Sequence, residues 1–271
     1  MPELPEVETT RRGLLPHVQG KTLRGVVVRD TRLRWPVTAE LGERLTGQRI
    51  TGLARRGKYL LLALPDGTVM MHLGMSGSLS VVESNKPPEK HDHIDMALDS
   101  GLSLRFTDPR RFGAVLWVEG DPAEHALLSH LGPEPLEAGF DGAYLYALSR
   151  KRKQAIKSFL MDSKVVVGVG NIYANEALFL SGIRPGLRAG AISRARYELL
   201  AHAVVNVLEA AIEHGGTTLR NFVGGDGRPG YFKQSLQVYG RGGRPCRTCG
   251  ATLKEVRIGN RSTVYCATCQ H

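Results

Sequence analysis

Between residues 22 and 119 the chain consists of short apolar runs separated by turn residues: TLRGVVVRD, RITGLARRG, KYLLLAL, TVMMHLG, SLSVV, DHIDMAL, LSLRFTD and GAVLWVE. Runs of this length, punctuated by PDGT (65–68) and DSG (99–101), read as β-strands. Eight in succession predict an antiparallel sandwich or barrel. The stretch ahead of them differs. In PEVETTRRGLLPHV, Pro5 suits a first helical turn and Val7 and Leu14 share a face, which predicts a leading helix.

The pattern changes after LGPEPLEAGFDG (131–142), a stretch rich in proline, glycine and acids. From Tyr144 onward the spacing is helical. RYELLAHAVVNVLEAAIEHGG places Leu200, Val204, Val207, Leu208, Ala211 and Ile212 at helical intervals, and Gly215 and Gly216 stop it. GGDGRPGYF (224–232) follows and reads as a loop. The expected class is therefore α+β and multidomain. The expected divisions are an N-terminal β-sandwich at 1–131, a linker at 132–143, a helical domain at 144–236 and a terminal ribbon at 237–271.

Composition narrows the partner. The chain has 271 residues, 42% of them apolar, enough for more than one folded core. No apolar run approaches the ~18 residues of a membrane span, and the first twenty residues hold no signal-like apolar stretch. A cytoplasmic, non-membrane protein is expected. Lysine and arginine number 36 against 26 acids, a net charge of +10 and a pI near 9.7. That excess favours a polyanion, with nucleic acid ahead of an anionic membrane.

All four cysteines lie at the C-terminal end, as CRTC (246–249) and CATC (266–269). Two Cys-x-x-Cys turns at this spacing suit one tetrahedral zinc held by Cys246, Cys249, Cys266 and Cys269. Two disulfides are the alternative, disfavoured in a reducing compartment. Four thiolates leave zinc no open position, so the ion is structural. No organic cofactor is expected.

The chain opens MPELPEVE. Methionine before a small residue such as proline is commonly trimmed, which makes Pro2 terminal. A free α-amine titrates near ~7.7–8, against ~10.4 for lysine. An unprotonated amine attacks a sugar C1′ and forms a Schiff base. From proline that adduct is an iminium, a cationic electron sink. Glu3 lies beside it to move protons. The plain alternative is a Pro/Glu helix start whose acids favour the helix dipole.

PELPEVET-RRG, RRGKYLL (55–61), HLGMSGSL (72–79), EKHDH (89–93), TDPRRFG (107–113), VVGVGNIYANE (166–176), GGTTLRNF (215–222), QVYGR (237–241) and the two cysteine pairs occur in one order. This ordered set closely resembles the bacterial formamidopyrimidine-DNA glycosylase family, from residue 2 to the last cysteine pair. The resemblance implies an enzyme that removes oxidised purines such as 8-oxoguanine from double-stranded DNA and nicks the strand by β,δ-elimination. It implies a leading helix and β-sandwich, a helix–two-turn–helix domain and a four-cysteine zinc ribbon. It assigns Pro2 as nucleophile, Glu3 as general acid/base and Lys58 as proton donor in β-elimination. Arg261 becomes a phosphate contact with a part in δ-elimination, and a guanidinium suits the clamping role better than the acid role.

The target nucleotide must leave the stack to expose C1′. Met75, Arg110 and Phe112 are implied to fill the hole from the minor groove, with Arg110 facing the orphaned cytosine. Asn171, His72, His91, Arg152 and Tyr239 are implied to lie along the DNA backbone. The glycine-rich segment 215–232 is implied to close over the flipped base. A monomer is the family's default. Two other readings compete: a relative of the same fold preferring oxidised pyrimidines, and a non-catalytic zinc-ribbon DNA-binding protein. The intact Met75, Arg110 and Phe112 set and the long glycine-rich loop disfavour the first. The terminal Pro–Glu pair is unexplained by the second.

Overall fold

Glu3 and Glu6 start the first element by capping each other. In the computed structural model, which describes residues 2–216 and 232–271, the Glu6 carboxylate accepts the Glu3 backbone N–H at 2.9 Å, one half of a reciprocal capping box. The box satisfies two of the N–H groups that every helix start leaves without intrahelical partners. Helix α1 (Leu4–Val18) therefore begins one residue earlier than the expected Pro5, which sits inside its first turn. Leu4, Val7, Leu14 and Val18 are fully buried along one face.

The predicted strands form two antiparallel four-stranded sheets. They are β1 (Leu23–Val28), β2 (Gly52–Arg56), β3 (Tyr59–Leu64), β4 (Gly67–His72), β5 (Ser78–Glu83), β6 (Asp92–Leu98), β7 (Leu102–Thr107) and β8 (Ala114–Val118). One sheet has the order β1-β6-β7-β5 and the other β2-β3-β4-β8. Alternation puts Leu60, Leu62 and Leu64 of β3 inside with Ile94, Met96, Leu104 and Phe106 of the first sheet. A five-residue helix, α2 (Leu41–Leu45), lies between β1 and β2 and buries both its leucines. One turn is too short to display a period, so the sequence did not reveal it.

The register collects the loops. His72, ending β4, pairs with Tyr59 and Ala114. Thr107, ending β7, pairs with Ser78 and Asp92. The connections 73–77 and 108–113 each cross between the sheets at this end, where the β2–β3 turn (residues 57–58) and the residue before β6, His91, also lie.

The later segment is helical, as expected. Its elements are α3 (Gly142–Ser149), α4 (Ile156–Leu160), α5 (Asn171–Leu180) and α6 (Arg194–Glu213), followed by the hairpin β9 (Lys254–Ile258) and β10 (Arg261–Tyr265). Asp141 caps α3 by accepting the Tyr144 N–H at 2.7 Å. The predicted apolar face of α6 is buried throughout, and α3 and α5 pack on that helix. The chain divides into two units, residues 1–129 with 214–233, and residues 130–213 with 234–271. Among the described residues no helix is long and apolar enough to cross a membrane. The expected lesion-capping segment, 215–232, lies outside the described residues except at its ends.

Candidate active site and nucleic-acid interface

In the first unit, α1 runs antiparallel to β2. Arg11 reaches the Leu53 carbonyl at 3.4 Å, and one turn earlier Glu8 meets Arg55 at 3.2 Å. Continuing backward along α1 leads to Pro2 and Glu3, toward the β2–β3 turn that holds Lys58. Pro2 and Glu3 are both buried there. The Glu8 carboxylate also takes Arg11 at 2.8 and 3.0 Å and Arg12 at 2.8 Å. Arg55 in turn donates to the Gly57 carbonyl at 3.0 Å. The helix that presents the Pro–Glu pair is thus ion-paired to Arg55 of β2, which in turn hydrogen-bonds the Gly57 carbonyl next to Lys58. Gly57, at φ 57°, takes the left-handed conformation that the turn requires.

His72 sits beside this turn. Its ring lies 4.8 Å from that of Tyr59, and its Nδ1 accepts the Gly74 N–H at 3.0 Å. Burial, with the Lys58 and Arg34 cations adding, pulls its imidazole down to about 4. The ring is neutral at ordinary pH and able to accept that bond.

The three expected wedge residues lie on the two crossing loops. Met75 and Phe112 are 37% and 44% exposed, large apolar groups held in solvent rather than in the core. Arg110 is also exposed, and its guanidinium stacks 4.7 Å from the Phe112 ring centre. His91 is half-buried just before β6, edge-on to His93.

In the second unit, Asn171 is the first residue of α5, after the extended N-cap Gly170. Its amide donates to the Ser262 carbonyl at 3.0 Å, while its buried Oδ1 has no hydrogen-bond partner among the described residues. Arg261 is exposed at the head of β10, opposite Ile258 across a two-residue turn. Gly259 and Asn260 in that turn have φ of 56° and 59°, the type I′ geometry of tight hairpins. The fully buried Lys157 grips the hairpin from α4, donating to the Ser262 carbonyl at 2.8 Å and Thr263 Oγ1 at 2.7 Å. Tyr239 donates its backbone N–H to Glu176 at 2.8 Å. Arg152 is exposed just beyond α3, with its carbonyl accepting the Gly190 N–H at 3.0 Å.

The four cysteine sulfurs lie within 4.8 Å of one another and form no disulfide. A tetrahedral zinc with Zn–S bonds of ~2.3 Å needs sulfurs about 3.8 Å apart. Cys249 and Cys266 stand at 3.5 Å. The donor set fits one structural zinc ion. Val238, Leu253, Val264 and Phe179 pack around it as a small core of its own.

Several residues that organise these sites were not apparent from the sequence. Glu8 lies inside the PEVE motif but reads as an ordinary helix acid. Lys157 reads as a surface lysine. Asp108 stands inside TDPRRFG, and that position in the motif was the signal available. Glu176 likewise ends GVGNIYANE.

Comparison with known proteins supports the ordered motifs. The chain matches three family descriptions: the formamidopyrimidine-DNA glycosylase N-terminal domain at residues 1–115, the formamidopyrimidine-DNA glycosylase H2TH domain at 131–223, and a zinc finger found in FPG and IleRS at 243–271. It is 61% identical over 270 residues to the formamidopyrimidine-DNA glycosylase of Pseudomonas putida strain GB-1, covering 100% of both chains. A Lactococcus lactis FPG variant in complex with Fapy-dG containing DNA superposes with a TM-score of 0.93 at 33% identity, over 100% of both chains. The Lactococcus lactis protein with abasic-site DNA gives 0.92 at 33% identity, over 99% of both.

Proposed function

As the chain belongs to the formamidopyrimidine-DNA glycosylase family of DNA repair, we propose that it excises oxidised purines from duplex DNA and then cuts the strand. With Met1 removed, the Pro2 amine attacks C1′ of the damaged nucleotide. The C1′–N bond breaks, the base departs, and an iminium joins Pro2 to the opened sugar. Glu3 moves protons during attack and ring opening. Loss of a C2′ proton then expels the 3′ phosphate, and a second elimination expels the 5′ phosphate. Lys58 serves the first elimination as proton donor, and Arg261 clamps phosphate.

Met75, Arg110 and Phe112 fill the gap left by the flipped nucleotide. His72, His91, Asn171, Arg152 and Tyr239 lie along the backbone, where contacts position the enzyme without reading sequence. In this reading the sandwich of 1–131 performs the chemistry. The helical segment 144–236 and the ribbon 237–271 grip the duplex. The zinc holds the Arg261 hairpin in shape and takes no part in bond making.

One observation carries the proposal: the Pro2–Glu3 pair is buried at the capped start of a helix whose Glu8 pairs with Arg55, the β2 residue that hydrogen-bonds the Gly57 carbonyl beside Lys58. The test is borohydride trapping on duplexes holding one 8-oxoguanine opposite cytosine or one dihydrouracil, with mass spectrometry of the adduct. A covalent complex on Pro2, formed faster on 8-oxoguanine, is expected. A preference for dihydrouracil would transfer the assignment to the pyrimidine enzyme. No adduct with Met1 verified absent and DNA still bound would leave a zinc-ribbon binding protein.

A further inference from the structure

Asp108 is fully buried at the end of β7, and its carboxylate ties together the two loops that carry the wedge residues. Oδ1 accepts the Ser76 hydroxyl at 2.9 Å, one residue from Met75, and the Arg110 backbone N–H at 3.2 Å. Oδ2 accepts the Gly113 N–H at 2.8 Å, closing the loop just after Phe112. The backbone N–H of Asp108 donates to the His91 carbonyl at 3.0 Å, and its carbonyl meets His93 Nε2 at 2.8 Å. Three segments that carry expected DNA contacts therefore converge on one residue.

The two loops also touch directly. A Cβ at Gly74 would lie 2.5 Å from backbone atoms of Phe112 and Gly113, so only glycine permits this approach. Arg111, between the wedge residues, is held at a φ of 56°, a conformation side chains other than glycine rarely adopt. Its N–H closes onto the Asp108 carbonyl at 3.3 Å, and its guanidinium pairs with Asp30 at 2.6 Å. The loop is bent around Asp108.

We propose that Asp108 is the positioning residue that sets Met75, Arg110 and Phe112 in one register, so that they enter the duplex as a single wedge. It thereby governs base extrusion and the choice of opposite base. The inference rests on the proposed enzyme reading. Chemistry explains the residue type: all three side-chain partners are donors, and a buried carboxylate is an acceptor at both oxygens. In either orientation an asparagine would turn its N–H₂ group toward a backbone N–H, that of Gly113 or that of Arg110, and the loop bearing Arg110 and Phe112 would lose an anchor.

The test uses the full chain and the variants Asp108→Asn and Ser76→Ala. Single-turnover cleavage is followed on 8-oxoguanine opposite cytosine, 8-oxoguanine opposite adenine, and a preformed abasic site opposite cytosine. An abasic site has no base to extrude, so its cleavage depends on Pro2 and Lys58 more than on the wedge. For Asp108→Asn, excision opposite cytosine should fall about 100-fold, the scale of a misplacement near 1 Å. Ser76→Ala, which loses one anchor, should fall about tenfold on the same scale. Abasic cleavage should change much less in both, and the cytosine-over-adenine preference should shrink. Wild-type behaviour in both variants would overturn the inference. So would an equal loss on all three substrates with the cytosine preference intact, which would mark Asp108 as a folding residue only. If Asp108→Asn does not fold, Ser76→Ala decides alone. Wild-type protein that leaves 8-oxoguanine uncut would instead remove the enzyme reading, and the inference with it.

Discussion

Burial, with the Lys58 and Arg34 cations adding, pulls the His72 imidazole from 6.5 to about 4, and this has a consequence for stability. Between those values the unfolded chain binds a proton that the native protein refuses. Native stability is therefore lost as pH falls through that window, by up to about 3 kcal/mol. Glu8 behaves differently at lower pH. Burial raises its carboxyl, but hydrogen bonds from Arg11 and Arg12 and the Arg11 and Arg55 charges bring it from 4.5 down to about 2. Its stabilisation is present above 4.5 and is lost as pH falls toward 2. His72→Asn keeps an acceptor for the Gly74 N–H but does not titrate. Calorimetric melting temperatures should fall between pH 6.5 and 4 in the wild type and fall less in His72→Asn. Parallel curves would show that His72 is not the group being titrated. At this scale the Pro–Glu pair by its own chemistry reads equally as a helix start, and only the ordered motifs around it favour the amine–acid reading, whereas the neutrality of His72 depends on neighbours that only folding supplies.

Helix α5 shows what an element adds. Its residues Ile172–Phe179 are all buried, and three of its polar residues hydrogen-bond to the segment that carries the cysteines. Asn171 holds the Ser262 carbonyl, and Asn175 Oδ1 accepts the Val264 N–H at 2.9 Å. The Glu176 carboxylate accepts three successive backbone N–H groups, from Gln237, Val238 and Tyr239, at 2.7 to 2.9 Å. Burial raises the Glu176 carboxyl, and those three bonds oppose the rise. Glu176→Gln would leave a buried N–H facing an amide, at a cost of about 1–3 kcal/mol. Zinc release to a chromogenic chelator should then accelerate about tenfold, the rate equivalent of ~1.4 kcal/mol. A wild-type release rate would mean that α5 does not hold the ribbon. The eight strands were legible as short apolar runs bounded by turn residues, although β4 and β7 are buried on both faces over four successive residues rather than alternating. The single turn of α2 was not, since five residues carry no period.

For the molecule as a whole, the net charge of +10 predicts a backbone-dominated DNA interface. Each neutralised phosphate releases counterions, so affinity for undamaged duplex should fall linearly in log–log against salt. The drop should be on the order of 10³ or more across a fourfold rise in salt if six or more phosphates are contacted. Fluorescence anisotropy checks this. Arg152→Ala and Arg261→Ala should each flatten the slope by about one. A flat dependence in the wild type would contradict the interface, and an unaltered slope in either variant would remove that arginine from it.

Local spacing along the chain was enough to give the order of the main elements and the metal site, and the ordered motifs gave the family. Short apolar runs bounded by turn residues mark the strands, and a 3.6 period marks the long helix α6. Two Cys-x-x-Cys turns mark the zinc site, and proline followed by glutamate marks an amine beside an acid. Folding settled which residues serve one another. The strand register brings the Met75 and Arg110–Phe112 loops to one end of the sandwich, where Asp108 joins them across 32 positions of chain. Glu8 meets Arg55 across 47 positions, and Asn171 meets Ser262 across 91. Such pairings arise from packing two sheets, or a helix and a hairpin, against one another. No pattern along the chain encodes them, because buried charges such as Asp108 and Lys157 read as surface residues until their donors and acceptors are brought in from elsewhere.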